Sequence, residues 1–578
     1  MKHLVVFFLF CNCALAFGQF VPSVVNYDTL KGSFRTNGDL DSMDIISFNN
    51  ASTHPGGGSN QFQSIPTGDF FYQQIGGYRN FERTAFPSYR FAAIPHVGFA
   101  YSFGTQGTQI AQLNYQQLYA RKVLLNLNYE NNRSNGYLRN SDFLRNNAGL
   151  NILKSGRIYS FVMNAQYNSN SSGLNGGITS IADPIAFPLV FLPVSKENAR
   201  SEYQSSRVNW ENYIDLNKDS TAGMGLMTNH QLDVRQRRYA ETDTLFGIYN
   251  QVNIDSLESR DFYQFSKLSN GAGFFFRKNQ FFASVNANAT YWKYFNLDQD
   301  RDTTEFSLKS DVKYAGKNWT IQHKLDLNLV GARNEWRTSL ELSARFGKIV
   351  WKNATNIESV LPDVFQRHYF ANNFAYQMSS YEQQFRMNML NTLTTNVRGI
   401  ETVLTHQSSF FKENYLFLNG QWRNDTLTNF SFHRIALRIG VKWGILHLQP
   451  EYTFTIRPVA LQIVPTHTLR ARLLLKGALF KAKKMKTYLG VDAIYVSGFD
   501  PMSFVPAMDV YSLNTNGISV SSFNNLHVFG GFQIDQFRFF VRFENIGYFW
   551  NDNSIELLEG YPITGGQLRV GLTWDFFN

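Results

Sequence analysis

Two groups of basic residues carry the clearest chemistry in this sequence. Arg434, Arg438 and Lys442 lie at even spacing, and so do Arg470, Arg472 and Lys476. Successive residues of a β-strand point to opposite sides, so even spacing puts each group on one face. The stretch between them offers His447, Gln449, Glu451, Thr453 and Thr455 at the same parity. If these are adjacent strands, six cations and one carboxylate line one wall. In a water-filled lumen such a wall concentrates anions with no covalent step. The competing reading is that acids elsewhere on the wall pair with these cations and leave little field.

Other constellations carry less. Asp298, Asp300 and Asp302 alternate, and spaced carboxylates can hold a calcium ion. Thr303 and Lys309 stand where a helix-loop-helix calcium site needs Gly and Glu, so we read a solvated acidic loop. His406 and Ser408 are two apart and share a strand face, as a histidine and serine of a barrel hydrolase would. No residue nearby is placed to orient the imidazole. His96, His230 and His368 are scattered without metal-ligand spacing. Gly56, Gly57 and Gly58 precede no periodic helix and do not form a phosphate loop. The sequence thus points to no catalytic, cofactor-binding or metal-binding residue, and to a protein that is not an enzyme.

The elements that would position the basic residues are strands. Val123, Leu125, Leu127 and Tyr129 alternate with Asn126, Asn128 and Glu130. Tyr159, Phe161, Met163, Ala165 and Tyr167 oppose Ser160, Asn164 and Gln166. Ile435, Leu437, Ile439, Val441 and Trp443 oppose the first basic group. Along Trp319, Ile321, Leu325, Leu327 and Leu329, His323 interrupts the apolar side. Roughly 20 to 24 such segments follow residue 88, within the range of closed membrane barrels. Near the C-terminus, long connections alternate with short ones such as Asp535-Gln536 and Gly444-Ile445. Short turns on the periplasmic side and long outer loops have that pattern.

Composition agrees. Aromatic residues make up 16% of 578, yet mean hydropathy is only −0.28. A lipid-facing apolar side and a wet interior reconcile the two. No run of about 18 apolar residues follows the N-terminus, so helical spans are not expected. The net charge of +10 suits anionic head groups or anionic solutes better than nucleic acid in a secreted, strand-rich chain.

The two ends give the address. Lys2 precedes an apolar run and then Ala14, Leu15, Ala16, Phe17 and Gly18, which reads as a signal peptide over residues 1–18. Cys11 and Cys13 fall inside it, so the secreted part carries no thiol. Residues 19–88 are punctuated by Pro22, Pro55, Pro66 and Pro87 and read as a short irregular segment, periplasmic or inserted into the lumen. Residues 89–578 read as the barrel. In the last strand Leu568, Val570, Leu572, Trp574 and Phe576 form an apolar face. Arg569, Gly571, Trp574 and Phe576 meet the order polar, Gly, aromatic, aromatic, which resembles the recognition signal of outer-membrane barrel assembly.

Four further stretches carry a family resemblance. They are Ile94-Pro95 with residues 99–104, Asn126-Leu127-Asn128-Tyr129 with Asn135-Gly136-Tyr137-Leu138, Leu174-Asn175-Gly176-Gly177-Ile178 after 159–167, and Gly560-Tyr561-Pro562 before the tail. Together they resemble the Putative porin family of Bacteroidetes-type bacteria. The third departs from the family form, with Leu174 where Glu is expected, and the chain ends in Asn578 rather than an aromatic. The resemblance covers residues 91–578 and implies an all-β transmembrane antiparallel barrel with a pore. It implies no substrate and no catalytic residue. Asp28, Asp41, Asp219, Asp243, Asp255, Asp302 and Asp425, each followed by Ser or Thr, are similar to the O-glycosylation signal of such bacteria, and are equally ordinary turn formers.

The expected function is a porin-like outer-membrane channel for passive diffusion of small hydrophilic solutes, with a preference for anions. Its expected partners are outer-membrane lipid, lipopolysaccharide, the barrel assembly machinery and those solutes, with no cofactor and no nucleic acid. The alternatives are an energy-coupled uptake barrel, which needs a folded plug, and a structural or secretion-accessory barrel.

Overall fold

The computed structural model describes residues 95–578, apart from 120–121, 155, 157, 180–188, 217–221, 244–248, 299, 332–333, 425–428, 460, 483, 514–516, 518, 550–555, 564 and 578. The expected signal peptide and irregular segment therefore lie outside the described residues.

Twenty-two strands form one antiparallel sheet. It closes where His96–Gly104 pairs with Gln567–Phe577, with His96 opposite Phe577 and Gly104 opposite Arg569. Closure removes the free edges, whose unpaired N–H and C=O groups lipid cannot solvate. The strand number lies inside the expected range.

Alternation along each strand sets the two faces. Phe99, Leu113, Leu127, Tyr129, Tyr167, Leu232, Leu268, Ile435, Leu437 and Trp574 are exposed on the outside. Residues at the opposite parity of the strands, such as Ser102, Asn126, Asn151 and Asp233, are buried inside. An apolar exterior around a polar interior is the arrangement of a barrel seated in lipid. His323, which interrupts its apolar side, is satisfied within the sheet: its Nε2 lies 2.8 Å from Thr338 Oγ1 on the next strand.

The two ends differ. At one end, with the last strand's terminus, the strands are joined by tight turns, including 279–280, 347–348, 398–399, 444–445 and 535–536. At the other end run the long connections 174–199, 242–258, 361–383, 413–428, 497–522 and 545–566. Sequence-adjacent hairpins of this kind leave the backbone of the strands hydrogen-bonded inside the sheet. We therefore expect heat-modifiable migration on detergent gels, with boiled and unboiled protein running differently and a strand-type circular dichroism spectrum. A helical spectrum, or identical migration of both samples, would contradict this fold.

Candidate functional site

The site is the lumen wall together with the long loops that fold over it. The basic groups lie on Asn429–Trp443 and His467–Leu479, joined through Leu446–Ile456. All six point to the lumen, since Ile435, Leu437, Leu469, Leu473 and Leu475 at the opposite parity are exposed outside. Register places Arg438, Glu451 and Arg470 in one row, and Gln449, Arg472 and Asp492 in another. Lys442 lies opposite His447, and Lys476 opposite Tyr488.

The structure shows which acids these cations meet. Arg472 donates to both oxygens of Asp492, from Nε at 2.6 Å and Nη2 at 3.0 Å. Asp492 also receives Arg542 Nη1 at 3.3 Å. Arg542 Nε lies 3.0 Å from Glu544, and Arg569 Nη2 lies 3.4 Å from the same carboxylate. Arg438 approaches Glu401 at 4.0 Å. The wall is thus an interleaved ion network running from Arg472 to Arg569 at the barrel seam. Arg569 belongs to this inner network, while Trp574 and Phe576 of the same strand stack on each other at 4.5 Å on the lipid side. The assembly-signal residues therefore divide between the two faces.

Other candidates settle into plain roles. Ser408 lies 3.0 Å from His433 Nδ1, not from His406, and His406 stacks on His433 at 6.3 Å. Both histidines sit at the parity of the lipid-facing Leu404 and Ile435. Asp300 pairs with Lys293 at 2.7 Å, and Asp302 accepts from the Tyr291 hydroxyl at 3.0 Å. Among the described residues no group of three or more His, Cys, Asp or Glu could hold a metal ion. Asp255 accepts from the Leu257 amide at 2.8 Å, an ordinary turn contact.

The loops fold inward over the mouth. Tyr203, Tyr263 and Tyr294 of the wall pack with Phe365 and Tyr369 of loop 361–383, Phe417 and Trp422 of loop 413–428, and Met508 and Val510 of loop 497–522. Loop 497–522 also sends Phe504 and Ala507 into a second cluster with Leu174, Leu192 and Tyr239. Its Met502 enters a third with Phe411, Phe432 and Ile463, and its Phe499 and Val520 a fourth with Leu557 and Ile563. One loop thus takes part in four clusters.

Its far contact spans the lumen. Arg237, on the seventh strand of the barrel, is 1% exposed. It donates to the Pro506 carbonyl at 2.8 Å, the Ala507 carbonyl at 2.6 Å and Ser201 Oγ at 3.0 Å. Loop 497–522 joins the nineteenth and twentieth strands, so it crosses to nearly the opposite wall. Nearby, Lys196 pairs with the buried Glu241, and Tyr239 donates to that carboxylate at 2.7 Å. Burial beside Glu241 pushes the Tyr249 phenol up, keeping it a neutral donor to the same carboxylate. Burial near Arg301 and Arg367 pushes the His368 imidazole down to about 4, so it stays neutral at physiological pH.

Below the cap the lumen holds two neighbouring chambers of about 570 and 800 Å³ that share Gln231, Lys309, Asp326, Arg337 and Glu358. Many of their ions are paired with one another: Asp233 with Arg207 and Arg235 at 3.1 and 2.6 Å, Lys309 with Asp326 at 3.5 Å, and Glu358 with Arg337 and Arg386 at 3.6 and 3.5 Å.

Closed barrel, polar lumen and folded mouth define a transmembrane-type β-barrel, and comparison with known proteins gives its family. The Putative porin family matches residues 54–578, and the chain belongs to that family. The match begins inside the segment expected to be irregular. No curated protein matches the chain. Solved structures share the fold. The copper transporter OprC is 10% identical with TM-score 0.58, covering 84% of this chain and 81% of its own. The FrpB iron transporter from Neisseria meningitidis is 9% identical with TM-score 0.58, covering 84% and 83%. The siderophore receptor PirA from Acinetobacter baumannii is 10% identical with TM-score 0.56, covering 84% and 80%.

Proposed function

We propose that this protein is an outer-membrane channel through which small hydrophilic solutes diffuse passively, with the loop cap limiting their size. The observation that carries the reading is a polar lumen with chambers beneath a cap of packed loops. Family membership supports it. The mechanism is exclusion by size plus a modest electrostatic bias, with the barrel assembly machinery placing the chain among outer-membrane lipids and lipopolysaccharide. The test is swelling of liposomes that contain the purified protein and no energy source. Swelling should fall as solute size rises. A heat-modifiable protein that admits none of the small solutes would overturn passive diffusion.

The basic strands supply the bias. Arg434 and Arg438 face the lumen, and inward charges in water act over about 8 Å at physiological salt and about 3 Å at 1 M. Arg472 is held by Asp492 and adds less. Replacing Arg434 and Arg438 with Glu should move the reversal potential in a salt gradient toward cations at low salt, and much less at 1 M. Unchanged selectivity with intact conductance would place both residues off the ion path.

One observation favours a second reading, an energy-coupled uptake barrel. The mouth is bridged from wall to wall by loop 497–522, a closure that simple diffusion does not require. The transporters and receptor of similar fold fit that reading as well. Solute entry only in the presence of a working energy source would decide for it.

A further inference from the structure

The larger chamber has a wall of carboxamides. Register sets Gln116, Asn126, Asn151, Asn164, Asn209 and Gln231 side by side in one rung across six adjacent strands, all facing the lumen. The chamber takes the last three of these and adds Asn229 and Asn286 from neighbouring rungs. Gly271 makes that second part possible. A Cβ there would lie 2.1 Å from Asn288 Oδ1 and 2.3 Å from Asn229 Oδ1. Without it, the two amides meet across the strand, Asn229 Nδ2 donating to Asn288 Oδ1 at 2.6 Å.

This wall holds acceptors that lack donors. Oδ1 of Asn229 and Oδ1 of Asn286 are buried with no hydrogen-bond partner among the described residues, and Asn286 is 8% exposed. A buried polar atom left unpaired costs about 1–3 kcal/mol; both oxygens are packed over glycines, Gly271 and Gly273, so a ligand donor recovers that cost when the amides turn toward the chamber. The charges around the chamber already have partners: Lys309 pairs with Asp326 and Arg337 with Glu358, Glu211 accepts from the Tyr213 hydroxyl at 2.7 Å, and Asp311 accepts from Gln322 at 3.1 Å and lies opposite Lys324 in register. A charged ligand would have to break those pairs. A neutral ligand with many hydroxyls would not, and it would supply donors to the amide oxygens. Half-buried Phe265 and Trp292, 6.1 Å apart in the adjoining chamber, offer an apolar surface for its C–H faces.

We propose that the chamber is a binding site for a neutral polyhydroxylated solute, a short oligosaccharide, held by Asn164, Asn209, Asn229, Gln231 and Asn286. The site names the solute class within the channel reading and rests on that reading for its purpose, though not for its measurement. The paired charges select against anionic sugars and zwitterionic peptides, and the amides select for hydroxyls.

The experiment is equilibrium binding to full-length protein in detergent, followed by tryptophan fluorescence and calorimetry. Maltotriose, sulfated maltotriose and trialanine are the probes. Maltotriose should bind in the millimolar range, at least tenfold more tightly than either of the others. Changing Asn229 and Asn286 together to Leu should weaken maltotriose at least tenfold while heat-modifiable migration persists. If that double variant does not fold, Gln231→Leu, on a different strand position of the same wall, should weaken it several-fold. No binding of maltotriose, tighter binding of trialanine or the sulfated sugar, or unchanged affinity in the folded variants would overturn the site. Because binding needs no flux, a channel that conducts yet binds no sugar defeats this inference alone. A protein that binds sugar yet conducts nothing defeats the channel reading alone.

Discussion

Replacing Arg237 with Ala is expected to open the protein to solutes that the wild type excludes. Arg237 is buried on the seventh strand and holds the carbonyls of Pro506 and Ala507 from across the lumen. Hydrogen bonds from a charged donor contribute about 1.5–3 kcal/mol each, and the variant takes this donor from both carbonyls, leaving Pro506 only its 3.2 Å bond from the Asp509 amide. Other anchors of loop 497–522 remain: Phe499, Met502, Phe504, Met508 and Val510 sit in four separate clusters, and Ser512 donates to the Phe417 carbonyl at 2.9 Å. Each such apolar side chain stabilises by about 1.5–3 kcal/mol when fully buried. The loop is therefore loosened on the far wall but stays tethered at its base. Liposomes carrying the variant should swell several-fold faster in larger saccharides, with little change for the smallest solutes. A shortened loop, with residues 500–519 replaced by a Gly-Ser linker, should give the larger effect. Equal exclusion in wild type and both variants would show that the loop does not limit passage.

The second large effect is on assembly. Gly571 faces inward on the closing strand, where an added Cβ would lie 2.5 Å from ring atoms of Phe540 and 2.8 Å from Ser102 Cβ. Phe540 is fully buried at this seam, so the ring has little room to give. Gly571→Leu therefore disturbs both pairings of the strand that closes the barrel, with Phe537–Glu544 on one side and His96–Gly104 on the other. Trp574 and Phe576 act on the other face, where Trp574 also packs against Phe537 at 5.7 Å. Changing both to Ser removes aromatic anchors from the end of the lipid-facing band, at the tight-turn end. Each variant should lower the heat-modifiable protein recovered from outer membranes by about tenfold or more, if closure and recognition both depend on this strand. Wild-type amounts for both would mean that neither the tail's packing nor its aromatic order matters to assembly.

Much of the fold was legible because lipid leaves so few solutions. A strand such as Asn429–Trp443 must alternate, and the alternation also assigned Arg434, Arg438 and Lys442 to the lumen. Turns at 444–445 and 535–536 were readable because a two-residue break between alternating runs allows little else. The cap was not legible. Phe499, Phe504, Met508 and Val510 follow neither a helical nor a strand period, so loop 497–522 read only as a long outer connection. Its contact with Arg237 joins residues about 270 apart in sequence, and only the closed barrel brings their walls face to face. The pairing of Arg472 with Asp492 and the row of carboxamides needed something else again, the register between strands. Parity had already placed Asn126, Asn164 and Gln166 on the polar side, and counting amides per strand at that parity could have flagged the wall.

The central claim is that solutes pass through the lumen and that the loop cap sets the limit. Current across a planar lipid bilayer tests it most directly, with wild type and the 500–519 loop replacement both shown to be heat-modifiable beforehand. The account predicts small stepwise conductance for the wild type and several-fold larger steps for the shortened loop. No current from either folded protein would contradict it.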